Sequence, residues 1–146
     1  MVKKGIPRDM QTQKIVVSGL LAKDGKVLLA KRSTTKKIAP GKWHIPGGHA
    51  EFGEHPANAL AREFIEELRF GINAQEVLAV HSMVENGVHS TIITYAVTSD
   101  DIPTVIDFDE SETTEVGWFD QEEALAALDR DKHDYKTVKK YYNATV

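Results

Sequence analysis

The sequence predicts an α+β layered domain built on a mixed sheet, and three observations predict it. Asp24-Gly25 and Asn86-Gly87 each sit between two aliphatic, β-branched runs, the strongest short-range signal for a hairpin. Ala57, Leu60, Ala61, Phe64 and Leu68 recur at the spacing of one helix face. The helical stretches fall between hairpins instead of following every strand, which argues against a regular βαβ succession.

Taken in order, Lys14–Ala22 and Lys26–Lys31 are expected to pair across Asp24-Gly25. From Arg32 to Lys42 the chain is polar, and Pro40-Gly41 closes a surface loop leading into a short strand, Trp43–Ile45. Pro56 suits the first turn of a helix, where its missing N–H has no intrahelical partner to lose, and the apolar stripe carries that helix to Leu68. Glu76–Val84 and Val88–Val97 form the second hairpin, and a shorter strand spans Glu115–Phe119. Asp120, with Glu123 three residues on, resembles a capping box for a helix over Gln121–Leu128, and a further helix is expected over Tyr135–Tyr142.

The 146 residues, 41% hydrophobic and 27% charged, suffice for one continuous core, so 1–146 is read as a single domain. A formal net charge of −4 argues against a duplex nucleic-acid binder, which needs a broad cationic surface, but leaves room for a small polyphosphate held by a metal and a few local cations. The absence of cysteine excludes disulfides, thiolate nucleophiles and Cys-ligated zinc. The N-terminal MVKKGIPRDMQTQK is polar and no stretch approaches membrane-spanning length, so a cytoplasmic protein without a membrane partner is expected. Asn143-Ala144-Thr145 matches a glycosylation acceptor but reads as a polar chain end. Self-association as a homodimer is left open.

The pattern that carries chemistry lies on the Pro56–Leu68 helix. At about 100° per residue, Glu63, Glu66 and Glu67 fall on the side opposite the apolar stripe. Like charges three and four residues apart repel, so they are either spread into solvent or offset by a cation. Hard oxygen ligands in a compact group suit Mg2+ or Mn2+, which keep waters and bridge to phosphate oxygens. Just upstream, Pro46-Gly47-Gly48 followed by Glu51, Gly53 and Glu54 reads as a tight loop whose paired glycines let backbone approach a ligand, beside a helix N-terminus that favours an anion.

The stretch GHAEFGEHPANALAREFIEELRF, Gly48 to Phe70, closely resembles the Nudix box. Gly48, Glu54, Arg62, Glu63, Glu66 and Glu67 stand at the family's fixed positions, and Phe64 and Phe70 at its hydrophobic ones. The one departure is Arg69, where the family usually ends the helix with glycine, and Gly71 is expected to take over as the left-handed cap. Trp43 with Pro46-Gly47-Gly48 leading in, and Gly117-Trp118-Phe119 before an Asp-Gln-Glu-Glu helix, extend the likeness over most of the chain.

The resemblance implies an α/β/α layered fold with a mixed central sheet and a catalytic loop-helix-loop. It implies a Mg2+-dependent pyrophosphohydrolase, with Mn2+ as a substitute, acting on a small nucleotide. Glu66 and Glu67 are then the main metal ligands, Glu63 and the carbonyl of Gly47 complete the cluster, and Arg62 holds the array in register with Glu54 as its partner. The general base stays open among Glu63, Glu112 and Glu115, with Glu112 slightly favoured. Of the cations Lys31, Arg32, Lys36, Lys37 and Lys42, Arg32 is assigned to the substrate. His49 is read either as a phosphate or base contact or as a structural hydrogen bond. Trp43 and Trp118 read as core.

The box does not name a substrate. The Gly47–Glu54 segment and the compact length look similar to MutT-like members that convert nucleoside triphosphates to monophosphate and pyrophosphate. A nucleoside-diphosphate-sugar hydrolase is the enzymatic alternative, and a nucleotide-binding Nudix module without activity is the binding one. An acidic-helix interaction protein would leave the Gly47-Gly48 turn unexplained.

Overall fold

Strand β1 (Thr12–Lys23) organises the molecule because its alternate side chains feed two cores. The computed structural model describes Gly5 and residues 7–144; Met1–Lys4 of the polar N-terminus and Thr145 of the glycosylation-type sequence lie outside the described residues. Val17 and Leu21 enter one core and Leu20 the other. In β2 (Lys26–Arg32), Leu28 joins the first, and Val27 and Leu29 the second. The first core holds helix α1 (Pro56–Leu68) by Ala59, Leu60, Phe64 and Leu68. The second holds α2 (Gln121–Ala127) and α3 (His133–Ala144) through Ala124, Leu128 and Val138. Helices on both faces of one sheet give the expected α/β/α layering.

The remaining strands are β3 (Trp43–His44), β4 (Gly47–His49), β5 (Asn73–Glu85), β6 (Val88–Thr98) and β7 (Thr113–Phe119). The sheet runs β3-β2-β1-β6-β5, with β4 also paired to β1 and β7 to β2. Strands β1 and β6 are parallel from Thr12 opposite Val88 to Leu21 opposite Val97, and the other pairs are antiparallel. Both hairpin turns have positive φ at each central residue, Asp24 (52°) with Gly25 (77°) and Asn86 (50°) with Gly87 (79°), the two-residue turn whose twist matches that of the strands. The capping box of α2 forms as expected: Glu123 N donates to Asp120 at 2.8 Å, and Asp120 N to Glu123 at 3.0 Å. Among the described residues no helix is long and apolar enough to cross a membrane.

Two local expectations are corrected. The Gly47-Gly48 stretch is not loop but strand β4, opposite Ser18 and Val17. Its first glycine lets the strand pack closely on β1: a Cβ on Gly47 would lie 1.9 Å from the Val17 carbonyl oxygen. Nor does Gly71 cap α1. Arg69 itself turns left-handed (φ 62°, ψ 29°), its N–H donating to Phe64 O at 2.9 Å and Ile65 O at 3.2 Å. Those carbonyls need a donor at that point, so the backbone bond prevails over the cost of a Cβ in this region. Arg69→Gly is expected to raise stability by about 1 kcal/mol, read from urea denaturation, because the exposed Arg69–Asp107 contact it removes is worth less than the strain relieved. An unchanged or lower midpoint counts against the strained cap.

Candidate active site

Helix α1 starts at Pro56 with His55 as its cap, the imidazole Nδ1 accepting from Ala57 N at 3.1 Å. The loop before it closes on itself: Glu54 N donates to Glu51 O at 3.0 Å, and Glu51 N to Glu54 Oε1 at 2.9 Å. This closure aims the Glu54 carboxylate at Arg62, which grips it with Nε and Nη2, each at 2.9 Å, the expected pairing. These bonds first, then the Glu51 amide, hold the Glu54 carboxyl down at about 2. Arg62 Nη1 also reaches Glu63 and Glu66, each at 3.1 Å, and Nη2 donates to His49 O at 3.0 Å. The planar fork of a guanidinium allows these simultaneous contacts, so one side chain ties strand, loop and helix together.

Glu63 lies against Gly48, where a Cβ would come 2.3 Å from its carboxyl carbon. Glu67 lies one turn on, near enough for the two carboxyls to act on each other's ionisation. Burial, then the charges of Glu63 and Glu112, push Glu67 up to about 8, and burial raises Glu63 as well. Glu66 stands apart, its side chain 56% exposed and bonded to Arg62. Glu63 and Glu66 meet at Arg62 Nη1, and among the described residues no three Asp, Glu or His side chains are arranged to hold a metal ion. The helical spacing is as read; one Arg62 nitrogen holds Glu63 and Glu66 alike, with Glu66 lying out toward solvent and Glu63 and Glu67 half-buried. The donor set still fits a hard divalent cation. Two half-buried carboxyls whose ionised forms disfavour each other gain from a cation, which lets both ionise.

A second segment reaches this corner. Asp109 N donates to the carbonyl of Glu67 at 2.9 Å, so a turn is hung from the last turn of α1. Glu112 N and Thr113 N close that turn on Asp109 O at 3.1 and 3.0 Å. Glu112 is thereby brought close enough for its charge to act on Glu67, whereas Glu115 is exposed on β7 opposite Lys31. Arg32 braces its own loop, Nε donating to Ile38 O at 2.8 Å, and its charge also bears on Glu67 and His49. The carbonyl of His49 serves Arg62, while its imidazole is lowered by burial first and then by Lys14 and Arg32. With Gln13, Lys14, Ile15, Phe52 and Glu54 it borders a cleft of about 540 Å3.

Three cations of the basic loop have contacts within the protein. Lys31 lies 5.9 Å from the centre of the Trp43 ring, Lys42 faces Asp129 at 3.5 Å, and Lys36 pairs with Glu112. Trp43 packs edge-on against Phe119 at 4.7 Å, in keeping with a core role. Asp109 and the partner of Lys36 went unnoticed in the sequence, which offers no local signal for a contact between distant loops.

Comparison with known proteins now bears on this geometry. The family described as NUDIX domain matches residues 11–141. The chain belongs to the Nudix family. Nucleoside triphosphatase NudI of Escherichia coli K12 is 43% identical to it over 56 residues, 38% of this chain and 40% of that protein, so the chain spans about two fifths of that curated relative. Among solved structures, the E. coli ORF135 protein superposes with a TM-score of 0.76 at 27% identity, covering 96% of each chain. The MutT protein of Methanosarcina mazei Go1 gives 0.80 at 20% identity, covering 92% of this chain and 96% of that one, a likeness of fold alone. In Nudix terms, Glu54 to Glu67 with their Arg62 brace are the family's loop and helix.

Proposed function

We propose that this chain, as a single Nudix domain, hydrolyses a nucleoside triphosphate to monophosphate and pyrophosphate with the help of Mg2+, for which Mn2+ can substitute. The observation that carries the reading is the Glu63–Glu67 carboxyl pair against Gly48, with Glu112 brought beside it by the Asp109 turn. The partial likeness to a nucleoside triphosphatase supports the substrate class. Glu63, Glu66, Glu67 and the carbonyl of Gly47 would hold the cation, Glu66 leaving Arg62 to do so. When bound, the cation offsets charge on the pyrophosphate and acidifies a water. Arg62 keeps the loop and helix in register, Arg32 and the His49 imidazole face the phosphates, and Glu112 takes the proton of the attacking water. Little covalent work is left to the protein, so positioning and electrostatics dominate.

A panel of nucleoside triphosphates, deoxynucleoside triphosphates and nucleoside-diphosphate sugars with saturating magnesium is expected to release pyrophosphate from a triphosphate. Sugar phosphate as the product moves the reading to the nucleoside-diphosphate-sugar alternative. Tight nucleotide binding with no product from any member makes the chain a binding module.

A further inference from the structure

We propose that Lys36 is a positioning residue for Glu112, holding that carboxylate at the acidic mouth of the site; this rests on the hydrolase reading above. Glu112 closes the turn that hangs from the last turn of α1, its N–H on Asp109 O at 3.1 Å and the Asp109 N–H on Glu67 O at 2.9 Å, which brings its carboxylate to the acidic end of that helix. The cation in contact with Glu112 is Lys36, whose Nζ pairs with Oε2, the two side chains being 28% and 39% exposed. The pairing is built into the backbone and not left to a loose lysine. Ser33 N donates to the carbonyl of Glu112 at 2.9 Å, Lys36 N donates to Ser33 O at 3.2 Å, and Ser33 is buried. The far side of the turn is fixed by Asp109 N on the carbonyl of Glu67. Glu112 is thus held by its main chain from both sides and by its side chain from Lys36. In the same loop Lys31 lies over Trp43 and Lys42 faces Asp129, whereas Lys36 is the lysine paired with Glu112. An ammonium already paired and part-buried serves better as a fixed counter-charge than as a free receptor for phosphate, since withdrawing it leaves the part-buried Glu112 carboxylate without its ion-pair partner.

Steady-state kinetics of the full chain on the panel's best substrate test this. Lys36→Met is expected to lower kcat roughly 10- to 100-fold with KM held within about threefold, the pattern of a lost transition-state contribution. Lys36→Arg restores most of the rate. The double variant Lys36→Met with Glu112→Gln is no slower than Glu112→Gln alone, because each substitution removes the same interaction. Should the Met variant fail to fold, Lys36→Gln takes its place. A rise in KM at constant kcat, with the two substitutions multiplying, assigns Lys36 to phosphate binding and overturns the proposal. So does a wild-type rate in Lys36→Met or in Glu112→Gln. A wild-type chain that hydrolyses no panel member overturns the hydrolase reading and this one with it, whereas an active wild type matched by Lys36→Met overturns this one alone.

Discussion

Glu67→Gln is expected to remain folded while kcat falls on the order of 10³-fold at saturating magnesium. Glu67 is the site carboxyl raised furthest from its ordinary value, by burial and by Glu63 and Glu112, so it has most to gain from a cation that lets it ionise. Its amide keeps size and one hydrogen-bond partner but cannot carry the charge. The same substitution alters a stability profile. A carboxyl lifted to about 8 in the fold binds its proton more tightly folded than unfolded, so its contribution is present below the ordinary carboxylate range and is lost as pH rises toward 8. In metal-free protein the wild type should lose melting temperature from about pH 5 to pH 8 relative to the Gln variant. Wild-type turnover in Glu67→Gln would remove Glu67 from the proposed machinery, whatever the melting curves show.

The second large effect divides the two adjacent glycines. Gly47→Ala should cost about 3 kcal/mol or more, because the new Cβ meets the backbone of β1, 1.9 Å from Val17 O and 2.6 Å from Ser18 Cα, and neither can move without opening the sheet. Gly48→Ala meets the Glu63 carboxyl at 2.3 Å, the far end of a side chain that can swing away. It should therefore cost about 1 kcal/mol or less in stability yet lower kcat roughly 100-fold, since the Glu63 carboxyl is pushed out of its place in the site. Urea denaturation and initial rates on the same preparations separate the two. Equal losses of stability in both variants would show that position 48 is packed against backbone and not against the acid.

Element by element, the sequence by itself determined what depends on neighbours a few residues apart. Asp24-Gly25 and Asn86-Gly87 placed both hairpin turns, and the Leu60, Phe64 and Leu68 stripe placed α1 at Pro56–Leu68. Asp120 with Glu123 placed the start of α2, and the resemblance to the Nudix box anticipated the Glu54–Arg62 ion pair. Turn geometry, capping and helical periodicity are short-range, so their residues announce them. Tertiary packing is what sets Gly47 and Gly48 in a strand against β1, gives Arg69 itself the left-handed cap, and brings one Arg62 nitrogen to both Glu63 and Glu66. It alone set Glu112 beside Glu67, through the Asp109 amide on the last turn of α1 and the Lys36 pair from the β2–β3 loop. Those outcomes depend on burial and on charges meeting across long stretches of chain, and neither quantity exists until the layers have packed.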